Sequence, residues 1–315
     1  MSGESNKEEK ISSMMDIAYS LFREGDFAGA KDVLNEALSL DFENEEVMTA
    51  LKCATYWNER KSKLDNLSEV YEKGEFLFSQ WKSFIKFMED LTGAYDNCIY
   101  SLKQYVFGEA LEHYLSILAE TGTHDTELLF KIGKCWKGKG DFEHALEFLE
   151  AANRQRSEDA EILSELADCY ALINELKASK VFFREAFFLD PQKIDLSSLE
   201  SWLIRRLINR LKEQGFGSPE LEEWIPVYGV LYGVFNIKRE LKPLEYGKLK
   251  QSIYALETKL EEEEEDRKIF LPRLINHYFW LIDYYMSTGE THERIDEVLK
   301  KIKRLKPEIY EKYVN

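Results

Sequence analysis

Gly133, Gly138 and Lys139 reproduce the spacing of a loop whose backbone N–H groups cradle phosphate oxygens. Gly140 stands where that loop needs a Ser or Thr hydroxyl for magnesium, and the segment lies across a helix and its closing turn, whereas a phosphate loop needs a strand before it and a helix after it. His292 and Glu293 imitate the opening of a zinc-protease helix, but Asp296 replaces the second histidine and no third ligand accompanies it. The six acids from Glu261 to Asp266 lack the alternation and central glycine of a calcium loop, and a block of like charge reads as a solvated connection between helices. His113, His124, His144, His277 and His292 are scattered, and no serine or cysteine lies in a nucleophile motif. Cys53, Cys98, Cys135 and Cys169 form no Cys-x-x-Cys pair and read as buried small hydrophobes in a reduced compartment. No catalytic set, metal site or cofactor is expected.

Charge narrows the partner class. Lys plus Arg number 42 and Asp plus Glu 59, a formal charge of −17 that repels nucleic acid and anionic membranes at long range, so nucleic-acid binding is disfavoured. Lys300, Lys301, Lys303, Arg304 and Lys306 gather on the last long helical segment, where cations favour the carboxyl-terminal dipole. No apolar run approaches the roughly 20 residues of a membrane span; the stretch from Pro226 to Ile237 is too short. Met1 to Lys10 is polar, without the apolar core of a signal peptide, so the chain as written reads as cytoplasmic.

The elements that carry these residues repeat. Ile132, Gly133, Trp136, Leu149 and Ala152 recur 34 residues later as Leu166, Ala167, Tyr170, Phe183 and Ala186. Within one unit, Leu129, Ile132, Gly133 and Trp136 fall at helical intervals, and after Gly140, Asp141 and Phe142 a second helical pattern runs through Ala145, Leu149 and Ala152. Gly140 supplies the left-handed residue that ends a helix, while the small residues Gly133, Ala145 and Ala152 let two helices approach closely. A third copy lies upstream at an offset of 115: Ile17, Ala18, Leu21, Gly25, Asp26, Phe27, Ala30, Leu34 and Ala37 match Ile132, Gly133, Trp136, Gly140, Asp141, Phe142, Ala145, Leu149 and Ala152.

These residues resemble the tetratricopeptide repeat, a 34-residue helix–turn–helix with small residues at fixed crossing points. Leu189, Asp190 and Pro191 match its closing proline, whereas Phe42 and Ser157 stand at that place in the other copies. The resemblance implies an all-α, right-handed α-solenoid with a concave face lined by the first helix of each pair. On that mapping the binding groove is lined by Met15, Tyr19, Phe22 and Arg23, then Glu127, Phe130, Lys134 and Lys137, then Glu161, Ser164, Asp168 and Ala171. Repeats of cochaperone type grip a terminal carboxylate with a lysine and an asparagine from one repeat plus further cations. Here Met15 and Tyr19, Phe130 and Lys134, and Ser164 and Asp168 hold the corresponding places, so that clamp is absent.

The expected organisation is a polar, flexible terminus (1–10), a repeat array (11–194) and a helical extension (195–315). The array has clear copies at 11–44, 126–159 and 160–193 and degenerate ones over 45–125. One long helix is expected from Glu45 to about Lys63, another from Glu69 to Met88, and a further hairpin repeat over 91–125, because Ala110 follows Phe107 as Ala145 follows Phe142. Beyond 194, helices are expected through Leu199 to Leu211, from Pro219, from Pro243, and as a worn repeat over 270–306 turning at Gly289. The function expected is a noncatalytic adaptor or scaffold that binds a protein or peptide segment in the groove. The alternative is a homo-oligomer built through the aromatic residues Trp224, Tyr228, Tyr232 and Phe235, which are too apolar to leave exposed.

Overall fold

A computed structural model describes residues 2–89, 95–122, 124–238, 240–262 and 266–315. Among them every regular element is helical, fifteen α-helices and one 3-10 turn. The chain divides into two compact units, Met1–Phe148 and Leu149–Asn315.

The first unit holds α1 (Ser2–Glu24), α2 (Phe27–Leu40), α3 (Glu45–Asp65), α4 (Val70–Glu89), α5 (Asp96–Thr121) and α6 (Thr126–Lys139), and α7 (Phe142–Gln155) crosses the division. The α1–α2 hairpin shows how the repeat turns. Gly25 takes φ +72°, ending α1 with a left-handed residue, and the Asp26 carboxylate then accepts the Gly29 N–H at 2.9 Å to start α2. Gly140 (φ +83°) and Asp141, which accepts the His144 N–H at 3.2 Å, repeat the device between α6 and α7. Asn44, Asp125 and Asp159 cap α3, α6 and α8 (Ala160–Leu172) in the same way. Across the copies the crossing residues Ala18, Ala30, Ala37, Ala145, Ala152, Ala167 and Ala186 are fully buried.

Two expectations for this unit change. Residues 2–10 continue α1 as helix instead of forming a flexible terminus, tied down where Lys7 meets Asp41 at 3.9 Å and Lys10 meets Glu36 at 3.5 Å. Residues 96–121 form one continuous helix, not a hairpin. Nothing between Asp96 and Thr121 breaks it: Gly108 keeps helical geometry, and the left-handed Gly122 (φ +62°) comes only at its end. This helix buries Cys98, Leu102, Tyr105, Val106 and Ala110 against α1 and α4.

The second unit pairs α8 with α9 (Leu176–Leu189), then runs through the 3-10 turn Pro191–Lys193 into α10 (Trp202–Glu213), α11 (Glu220–Leu231), α12 (Pro243–Glu262), α13 (Arg267–Thr288), α14 (His292–Leu305) and α15 (Pro307–Val314). α13 is its axis, buried almost continuously from Leu274 to Asp283 and packed by α11, α12 and α14. The aromatic segment belongs to this interior. Phe235 lies between Phe183 (6.3 Å) and Phe187 (5.8 Å), and Trp224 and Tyr228 pack on Phe216.

One polar contact recurs through both units. A tyrosine hydroxyl donates to a glutamate on a neighbouring helix in Tyr19–Glu46 (2.7 Å), Tyr114–Glu75 (2.6 Å), Tyr170–Glu150 (2.6 Å) and Tyr278–Glu257 (2.5 Å). Each satisfies a phenol that burial would otherwise strand, and burial, followed by the carboxylate, pushes each phenol pKa up.

Candidate functional site

Along α1 the residues expected to line an open groove are enclosed. Phe22 is fully buried, and Met15 and Tyr19 are each 5% exposed. Arg23 alone of the four faces solvent, its guanidinium 3.4 Å from the Ser101 hydroxyl of α5. The cause is α5, which crosses α1 as a single rod. Tyr105 lies over Gly25 so closely that an added Cβ would sit 2.4 Å from its ring, and it packs edge-on against Phe27 at 5.0 Å.

Beside the start of α5 lies a cleft of about 590 Å³. Ile11, Met15 and Tyr19 of α1 give it an apolar floor. Its rim carries Glu8 and Asp16 from α1, Asp41 from the α2–α3 turn and Glu46 from α3, with Asn97 of α5 opposite. Lys7 is the cation among the lining residues, and it leans on Asp41. Asn44 is fixed by its bond from the Val47 N–H at 3.0 Å, and Glu46 by the Tyr19 hydroxyl. Two walls of the cleft are therefore held by hydrogen bonds before anything binds.

The other expected groove residues fall elsewhere. On α6, Phe130 and Lys137 are buried, while Glu127 and Lys134 are half-buried. Glu127 meets Lys131 at 3.7 Å, and the Lys134 ammonium lies 5.2 Å from the Phe130 ring. On α8, Glu161 is half-buried and Ser164, Asp168 and Ala171 are buried. Asp168 has a structural task, accepting the N–H groups of Glu200 (2.7 Å) and Ser201 (2.9 Å) and thereby pinning the start of α10. The self-association candidates are corrected likewise. Trp224, Tyr228 and Phe235 are buried within their own unit, and Tyr232 is half-buried beneath the Arg210 guanidinium at 3.8 Å, so the segment has no bare apolar face to hide.

Sequence reasoning missed Asp41, Asn44, Glu46 and Asn97 because they come from a turn and two helices outside the mapped α1 face. The caps offered a signal: Asn44 with Glu45 and Glu46 reads as a helix start and brings those acids beside α1.

Gly133 to Lys139 lies within α6, so the phosphate-loop spacing has no loop to act in. Among the described residues no group of three or more His, Cys, Asp or Glu could hold a metal, and all four cysteines are buried free thiols. The tetratricopeptide repeat family model matches residues 11–44, the α1–α2 hairpin and the turn that carries Asp41 and Asn44. Residues 11–44 thus carry a tetratricopeptide repeat. No curated protein matches it. Tetratricopeptide repeats generally mediate protein–protein interaction and are typically noncatalytic. No helix among the described residues of this repeat protein is long and apolar enough to cross a membrane.

Proposed function

We propose that the protein is a noncatalytic adaptor that holds a basic, extended protein segment in the cleft beside α1. The observation that carries this reading is the cleft beside the family-matched hairpin: an apolar floor of Ile11, Met15 and Tyr19 under a rim of four carboxylates against one lysine. An apolar side chain would seat on Met15, and Lys or Arg side chains on either side of it would meet Asp16, Glu8 and Glu46. Rim charges of this kind govern association rate and salt dependence more than raw affinity. The wider surface supports the same choice, because a chain of formal charge −17 steers cationic segments toward itself.

The test is fluorescence anisotropy of the full chain against a panel of labelled peptides that combine one apolar residue with flanking Lys, Arg, Glu or Ser. Asp16→Lys is the informative variant, because Asp16 is exposed and its replacement leaves the core intact. Saturable binding of the basic peptides is expected, weakened about tenfold by Asp16→Lys and falling with salt. Equal binding of acidic and basic peptides, or wild-type affinity in Asp16→Lys, would refute the cleft.

A further inference from the structure

α10 separates an apolar face from a cationic one. Leu203, Ile204, Leu207, Ile208 and Leu211 are buried in the core of that unit, and the opposite face shows solvent Trp202, Arg205, Arg206, Asn209, Arg210 and Lys212. Two features set this face apart from an ordinary solvated one. Trp202 is 59% exposed, although a large aromatic on a helix with so complete an apolar stripe could have been buried. The four cations are accompanied by one acid, Glu213, in a chain where acids outnumber bases. Among the described residues none of the four makes an ion pair; Arg205 reaches the Leu199 carbonyl at 3.4 Å, and the Arg210 guanidinium sits 3.8 Å from the centre of the Tyr232 ring, itself held by Gln214 at 3.0 Å. Arg210 is thus held by the ring while remaining exposed, so its N–H donors are available for bidentate capture of a carboxylate.

We infer that this face docks an acidic protein segment in extended conformation, with an apolar residue followed by carboxylates at alternate positions. The spacing carries the choice. Trp202, Arg206 and Arg210 are four residues apart on one side of the helix, about 6 Å per step at the helical rise. Alternate residues of an extended chain are about 6.6 Å apart on one face. An apolar side chain on Trp202 therefore places the next two same-face side chains at Arg206 and Arg210, with Arg205 and Lys212 flanking. A short segment bearing two carboxylates suffers little from the protein's overall negative charge, whereas a nucleic acid or an anionic bilayer meets it in full. This surface lies on a different unit from the cleft and takes the opposite charge, so an adaptor with both would join a basic segment to an acidic one.

The experiment uses the full chain and a labelled peptide of pattern Leu-Ser-Glu-Ser-Glu, with Leu-Ser-Lys-Ser-Lys as its control, followed by anisotropy. Saturable binding of the Glu peptide is expected, whereas binding of the Lys peptide, which belongs to the cleft, should be unaffected by changes on α10. The Arg206→Glu, Arg210→Glu double variant should weaken it at least about tenfold, and Trp202→Ala several-fold. Both variants should remain folded, with melting lowered only slightly by loss of the Arg210–Tyr232 contact. Asp16→Lys, which disables the cleft, should bind the Glu peptide like the wild type, so the two surfaces fail independently. The inference is overturned if the double variant keeps wild-type affinity, if the wild type ignores the Glu peptide, or if phosphatidylserine vesicles or a single-stranded oligonucleotide bind α10 in its place.

Discussion

His277 gives the second unit a defined sensitivity to acid. It is 7% exposed on α13, its Nδ1 lies 2.8 Å from the Arg273 carbonyl, and its ring packs 4.9 Å from Phe188. Burial depresses its pKa from 6.5 to about 4, and the nearby Arg273 charge adds to the depression. The folded chain therefore keeps this imidazole neutral at pH values where the unfolded chain protonates it. Its contribution is intact above pH 6.5, declines as the pH falls toward 4, and is fully lost below that. Holding the imidazole neutral down to about pH 4 corresponds to about 3 kcal/mol. The assay is denaturant unfolding of wild type and His277→Gln between pH 7 and pH 4, followed by tryptophan fluorescence, to which Trp280, 4.5 Å from Phe188, contributes. Carboxylates that titrate in the same range act on both proteins and cancel in the difference. Wild type should lose about 3 kcal/mol more than the variant across the range. Parallel profiles, differing by less than about 1 kcal/mol, would show that the imidazole is hydrated or protonated in the fold and that the reasoning is wrong.

Three further outcomes are expected. Gly25→Ala should destabilise the first unit by about 2–4 kcal/mol in chemical denaturation, because a left-handed alanine is strained and its Cβ would strike the Tyr105 ring. Gly140→Ala, at the equivalent turn with nothing within 4 Å of the added Cβ, should cost only the conformational part, about 1–2 kcal/mol, so equal losses at the two sites would refute the steric account. Asp168→Ala should cost about 2–4 kcal/mol in the second unit by stranding the Glu200 and Ser201 N–H groups, and hydrogen exchange at those two amides should accelerate; unchanged protection would show that another acceptor holds them.

The hairpins were legible because their signals are local. Gly25-Asp26-Phe27 and Gly140-Asp141-Phe142 each encode a helix stop, a cap and the first residue of the next helix, and the structure uses them in that order, with Phe27 buried and Phe142 half-buried. The helices at Glu45–Asp65, Val70–Glu89, Pro243–Glu262 and Arg267–Thr288 followed from periodicity in the same way. α5 misled because Phe107 and Ala110 copy Phe142 and Ala145 without the glycine and aspartate that would turn the chain before them. The groove was least legible. Which helix covers Tyr19 or Trp224 is decided by contacts far apart in sequence, and a residue mapped to an open face has the same composition whether it faces solvent or another helix. Ile17 shows the reverse error: its equivalents Ile132 and Leu166 are buried, yet it is half-exposed.

The lid that α5 places over α1 changes how mutational data on this protein must be interpreted. Alanine at Phe22 removes a fully buried ring, a loss of about 3–5 kcal/mol where a whole domain is stable by about 5–15. In a cell such a variant is thinned out by proteases and chaperones before it meets any partner, and its absence from a captured complex measures protein abundance. Variants at Glu8, Asp16 and Asn97, whose side chains face solvent, leave the steady-state level alone and so report recognition itself.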